Sequence, residues 1–277
     1  MEDASAEFGR ADEREWFVKT HQDFISCLPN LNNLLATAFA RQYPSKLSDQ
    51  DFIVLSLSKL CSDDFEQILL LASNGYGDGS LVIVRSMFEK LVNARYLCQH
   101  PEGAKSFLNF FFVHMRTVKN LIERTLGKEH IRESYKTLVE NNFSQVRDQF
   151  SFTTRGGKEK TKSSWSDKSL VDMAIEVGLK EYLLLAYYLP IERAHPSVPS
   201  VMSQAKNIGE GKRLLFPNDR GEQRGLASSA LMIAHKVLIE MFALQHQHFG
   251  IDALEELIGQ ALKDYRRAWK KYRKQSS

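Results

Sequence analysis

Apolar residues recur along this chain at intervals of three and four, the spacing that lines one face of a helix. Trp16, Phe17, Phe24, Leu28, Leu31, Leu34, Leu35 and Phe39 predict helices over 7–28 and 30–42, with Pro29 at the break. Ser48 has the character of an N-cap, and Asp49 and Asp51 suit the first turn of a helix reaching about residue 73. Asn74-Gly75-Tyr76-Gly77-Asp78-Gly79 is the strongest turn signal in the chain. After it, with Ser80 as cap, comes a helix over 80–99 that His100-Pro101 ends. Further helices are expected over 102–126, 128–149, 166–177, 180–189, 226–249 and 252–274. The basic stretch after Phe152, the prolines from Pro190 to Pro199 and the polar segment 203–224 read as loops, and no segment shows the alternation of a strand. The expectation is all-α: one multi-helix domain of about 8–10 helices around the central helix 80–99. Within it, 1–47 is an N-terminal helical pair, 48–250 the helical core and 251–277 a basic C-terminal helix.

The central helix is apolar on most sides, which places it in the middle of the domain. Yet Arg85, Glu89, Asn93 and Tyr96 fall within an arc of about 80° at 100° per residue. Polar groups carried into such a place must be paired or have a use. If Arg85 and Glu89 are solvated, they are an ordinary i,i+4 ion pair. If they face a cleft, they are a preorganised charged pair able to orient a histidine or hold an anion. A second candidate is Ile191-Glu192-Arg193-Ala194-His195-Pro196-Ser197. Proline after His195 favours an extended backbone there, so Arg193 and His195 point to one side. A histidine in that setting either supports acid–base chemistry or simply bonds the backbone of a proline-rich turn.

These residues resemble a widespread bacterial family known only as a domain of unknown function. The resemblance rests on Arg85, Ser86, Glu89, Asn93 and Tyr96, then Trp165, then Tyr187 or Tyr188, and finally His195, Pro196 and Ser197, over roughly residues 50–245. It implies a helical fold and a cytoplasmic bacterial protein, with no activity attached. A broader similarity is to HEPN-type helical domains, many of them ribonucleases of toxin and phage-defence systems, marked by an Arg, four to six intervening residues and then a His. Arg14…His21, Arg95…His100 and Arg124…His130 have that spacing, about as many as chance supplies, and none has Asn or Asp two residues after the Arg.

Composition narrows the classes. Hydrophobic residues make up 43% and charged residues 26% of 277, ordinary for a globular protein. Cys27, Cys61 and Cys98 are widely spaced with no CxxC pair, which predicts reduced thiols in a cytosolic protein. The acidic N-terminus lacks the features of a secretory signal, and no transmembrane segment is expected from the apolar runs. The net charge of +3 conceals seven Lys or Arg against one Asp from Lys263 to Lys274, which leaves −3 for the rest. On that basic helix Tyr265, Trp269 and Tyr272 form a stripe. Arg266, Arg267, Trp269 and Lys270 could therefore hold a nucleic-acid backbone and stack bases, the helix could lie on an anionic membrane surface, or the stripe could dock on the body. No metal site or cofactor is expected: His246 and His248 lie two apart on a helix, and Gly209-Glu210-Gly211-Lys212-Arg213 lacks the full phosphate-loop pattern.

The functional expectation is a binding protein for RNA or a partner protein. Its cleft would be formed by Arg85, Glu89, Asn93, Tyr96, Arg193, His195 and Ser197. The alternatives are a metal-independent ribonuclease with His195 or His100 as acid–base group and Arg85 or Arg95 stabilising charge, and a purely structural or homodimerising module.

Overall fold

A computed structural model describes residues 10–40, 46–194, 205–209, 212–215 and 220–273. The expected all-α fold is what it shows. The helices are α1 (Ala11–Thr20), α2 (Gln22–Ile25), α3 (Leu28–Phe39), α4 (Asp49–Ser73), α5 (Gly77–Gln99), α6 (Ala104–Thr125), α7 (Glu133–Phe150), α8 (Leu170–Glu176), α9 (Leu189–Ala194), α10 (Arg220–Phe249), α11 (Ala253–Ala268) and α12 (Lys270–Arg273).

The core is built on α4, α5 and α10. Ser48 caps α4 by accepting from the Asp51 amide at 3.1 Å, and Asp51 returns a bond to the Ser48 amide. Gly75, in the left-handed region at φ 75°, then turns the chain into α5. That helix starts at Gly77 rather than at Ser80. Ser80 is buried within it and donates to the Tyr76 carbonyl at 2.7 Å. The earlier start has a packing cause: a Cβ on Gly77 would lie 2.3 Å from the Gln223 carbonyl oxygen and 2.6 Å from the Leu226 Cβ. Only glycine permits α5 and α10 to approach so closely at this end. Toward the other end of α5, Arg95 donates to Glu240 at 3.0 Å, so the two helices run in the same direction. Leu81, Val84, Met87, Phe88, Leu91 and Val92 of α5 meet Leu231, Ala234, Leu238 and Phe242 of α10 in one core.

That core takes in both ends of the described chain. Phe17, Phe24, Leu31 and Leu34 lie in it, as do Leu254, Ala261 and Trp269. Pro29, expected between two helices, sits in the first turn of α3, where its missing amide donor costs nothing. Trp269 is fully buried at the joint of α11 and α12 and donates from Nε1 to His235 Nδ1 at 3.1 Å. The three cysteines are free, and burial pushes the Cys98 thiol up to about 11. The 30-residue α10 is long and apolar enough to cross a membrane, and two-thirds of its most apolar stretch is packed inside this core.

Four short strands correct the expectation of loops. Ser151–Thr153 (β1) pairs antiparallel with Glu159–Thr161 (β2), and Ala205–Gly209 (β3) with Lys212–Leu215 (β4). Each is five residues or fewer, too short for alternation to declare itself. The helix expected over 180–189 is a 3₁₀ turn, Lys180–Tyr182, followed by a π-helix, Leu183–Tyr188, and then α9. Pro190 falls in the first turn of α9, where it is tolerated.

Two outcomes follow. Gly77→Ala should lower stability by about 2–3 kcal/mol in urea unfolding, whereas Gly79→Ala, whose Cβ would meet nothing closer than 3.6 Å, should be neutral or gain up to ~1 kcal/mol. Equal effects would show that the approach of α5 to α10 is not tight. Burial also lowers the pKa of His21 to about 4 and that of His235 to about 3. Both take a proton near 6.5 in the unfolded chain, so stability should fall as pH drops from about 6.5 toward 4, by up to ~1.4 kcal/mol per pH unit for each histidine. Urea midpoints measured from pH 7 to pH 5 check this, and His21→Gln should roughly halve the slope.

Candidate functional site

The polar line on α5 divides into two parts. Arg85 donates from Nε to Glu89 Oε1 at 2.8 Å, and its guanidinium carbon lies 5.0 Å from the centre of the Tyr187 ring. The Arg85 and Glu89 side chains are 28% and 37% exposed, neither solvated nor sealed. Among the described residues, the two terminal nitrogens of Arg85 have no hydrogen-bond partner. Tyr187 and Tyr188 sit on consecutive positions of the π-helix, with ring centres 5.5 Å apart at 72°. Tyr187 packs against the core, and Tyr188 is 46% exposed.

One turn further along α5 every polar group is engaged. Asn93 donates from Nδ2 to the Glu89 carbonyl at 2.7 Å and accepts at Oδ1 from Trp165 Nε1 at 3.0 Å. Trp165 packs edge-on against Tyr96 and Phe107, and its carbonyl accepts from Ser106 at 2.9 Å. Tyr96 is buried and stacks on His100 with centres 4.3 Å apart. His100 contacts Glu176 Oε1 from Nε2 at 2.9 Å and Glu102 Oε1 from Nδ1 at 3.3 Å. Lys168 pairs with the other oxygen of Glu176 and sits over the Tyr96 ring at 5.6 Å. The hydrogen bond from Lys168 holds the Glu176 carboxyl below the usual range. Asn93 and Tyr96 thus clamp the Trp165 loop and the α5 terminus. Beside the clamp, Lys162, Lys168 and hydroxyls including Ser163 and Ser166 line an open cavity of about 400 Å³.

Arg193 is brought to the N-terminal ends of α5 and α10. It donates from Nη2 to Glu222 at 2.8 Å and lies 3.6 Å from Asp78 through Nη1, so two carboxylates occupy it. His195 and Ser197 lie outside the described residues. Arg95 and His100 do not converge, since Arg95 is bonded to Glu240 and His100 to Glu102 and Glu176. On the basic helix, Trp269 is an internal anchor and not a free stacking surface. Arg266 and Lys270 are exposed, while Arg267 is tied to Asp264 at 3.0 Å and to Ser26 at 3.3 Å. No group of three His, Cys, Asp or Glu among the described residues could hold a metal ion.

One cluster escaped the sequence reading. Glu240 accepts from Arg95 at 3.0 Å, from Lys236 at 2.7 Å and from the Tyr182 hydroxyl at 3.4 Å, beside a cavity of about 290 Å³. Burial alone would raise the Glu240 pKa, but the hydrogen bond and charge of Lys236, with Arg95, bring it below the usual range. The i,i+4 spacing of Lys236 and Glu240 was the sole local signal, because Arg95 is 145 residues away.

The clamp is testable as structure. Asn93→Ala removes the partner of the half-buried Trp165 indole and should cost about 1–2 kcal/mol in chemical unfolding, while Trp165→Phe in the same background should add little more. Strictly additive losses would mean that the indole–amide bond is not made.

A family model matches the segment that holds both parts of the line and most of the elements packed around it. No curated protein and no solved structure matches the chain. The matched segment, residues 51–210, runs from α4 through β3 and leaves α10, the partner of α5, outside it. By that match over more than half its length, the chain belongs to DUF5677, a family of unknown function.

Proposed function

We propose that this protein binds a phosphate-bearing ligand, with RNA the first candidate, and that Arg85 is the anchoring cation. One observation carries the reading: a partly exposed guanidinium is held by Glu89 on one edge and by the Tyr187 ring on its face, while its terminal nitrogens have no hydrogen-bond partner among the described residues. A guanidinium so fixed has already lost rotamer freedom, and its remaining N–H fork matches two oxygens of a phosphate. The exposed Tyr188 ring, on the same π turn as Tyr187, offers a face on which a base can stack. Arg266 and Lys270 add long-range attraction without base contact. The free thiols suit a cytosolic setting.

Fluorescence anisotropy with a labelled single-stranded RNA tests this. Binding should weaken as salt rises, and Arg85→Ala should lose about tenfold or more, as expected when one charge-assisted contact is removed. Arg85→Lys should recover little, because a point charge cannot replace the fork. Tyr188→Ala should lose roughly 1–3 kcal/mol of affinity. Affinity unchanged in Arg85→Ala, with the fold intact by circular dichroism, would remove the site.

A second reading, metal-independent RNA cleavage, is favoured by the packing of α9 against α5, since His195 is the next residue after that helix. His195 would then serve as the acid–base group and Arg85 would stabilise the developing phosphorane charge. Cleavage by the wild type that is lost in His195→Ala, with RNA binding retained, would make the protein an enzyme. RNA bound and not cleaved would leave it a binder.

A further inference from the structure

We infer that two copies of this chain associate through an antiparallel pairing of their α6 helices; this does not depend on the RNA reading. Helices α6 and α7 form an arm with a small core of its own, Val113, Phe143, Val146 and Phe150, and α7 packs chiefly on α6 and β1. Of the seventeen large apolar side chains exposed among the described residues, seven lie between Phe111 and Phe152, so the exposure is concentrated on this arm.

The apolar positions on the outer face of α6 are ordered. Exposed Phe111 and Val118 alternate with partly buried Met115 and Ile122 at spacings of four, three and four, the heptad seam of a coiled coil, while Leu108 ahead of them packs on the main core. The charged residues of α6 are kept off that seam. Arg116 lies over the Phe143 ring at 4.1 Å, and Lys119 pairs with Glu140 of α7 at 2.9 Å and with Glu123 at 3.2 Å. At 100° per residue, the seam is turned about 120° away from the face that meets α7. Phe111 is 58% exposed.

A seam of this kind fits its own copy. Laid antiparallel about a two-fold axis between Arg116 and Thr117, two α6 helices set Phe111 against Ile122 of the second copy and Met115 against its Val118. Each layer then pairs one seam position with the other, as an isologous contact requires. Leu121 and Leu126 flank the seam on α6, and Tyr135 and Leu138 on α7, so the pair of arms closes as a four-helix bundle. With Phe111 and Val118, these six side chains are between 36% and 61% exposed. At roughly 200 Å² each they present ~600 Å² of apolar surface, the upper end of what a monomer leaves uncovered. Two such faces bury ~1,200 Å² before any polar rim is counted, within the range of a stable interface. The rim carries both signs, Arg124 and Arg132 with Glu129 and Glu133, so self-association meets no single-sign repulsion.

Sedimentation equilibrium of the full chain at micromolar concentration should give a dimer, and Val118→Arg should give a monomer with unchanged helical circular dichroism. A second pair of variants fixes the register without disturbing the charge. Met115→Cys with Val118→Cys should form a disulfide-linked dimer under copper phenanthroline, because these positions face each other across the axis, while Phe111→Cys with Val118→Cys should cross-link poorly. A monomeric wild type, a dimer that survives Val118→Arg, or cross-linking by the second pair in place of the first would each overturn the inference.

Discussion

The burial of α5 on nearly every side is the constraint on which the rest of this structure depends. A helix enclosed by α4, α10 and the segment from α8 to α9 keeps only a narrow strip, at Val82, Arg85 and Glu89, partly open to solvent. Each polar group it carries must therefore find a partner nearby or stand at an opening. Gly77 makes the enclosure possible at one end by bringing the α5 backbone against that of α10. Arg95 and Glu240 close it at the other, at 3.0 Å.

Under that constraint the polar line of α5 resolves into different uses along its length. Asn93 and Tyr96 are consumed by structure, since they hold Trp165 and His100, and through them α8, on the helix. Arg85 and Glu89 stand where the enclosure thins, beside a π-helix. An extra residue in a helical turn is seldom retained without use, and such widened turns recur at functional sites. Here the widened turn delivers Tyr187 to the guanidinium of Arg85 and leaves Tyr188 outside. Arg193, one residue before the end of α9, is spent on Asp78 and Glu222 and so works as a strap across the ends of α5 and α10.

Much of the helical framework was legible because its determinants are local. The Ser48 cap, the glycine turn before α5 and the apolar stripes of α3 and α6 all act within a few residues. The start of α5 was not legible, because Gly77 is required by a backbone 146 positions away. Nor was the partner of Asn93, which is 72 residues distant in sequence. Pro190 reads as a stop in isolation, yet it is tolerated once a new helix begins beside it. Trp269 shows a similar limit: its spacing with Tyr265 and Tyr272 marked a stripe, but spacing cannot say whether a stripe faces solvent or the core. The histidines behaved alike, for His21 and His235 look like surface or catalytic candidates by type and are neutral core groups by position.

The central claim is that one guanidinium edge of Arg85 is fixed by the protein and the other is open to a phosphate. Arginine side-chain nitrogen resonances of Arg85, followed by NMR during titration with a short RNA, address it directly. The account predicts a saturable shift of the terminal nitrogens while Nε, held by Glu89, barely moves. Terminal nitrogens that stay unchanged at saturating RNA would contradict it.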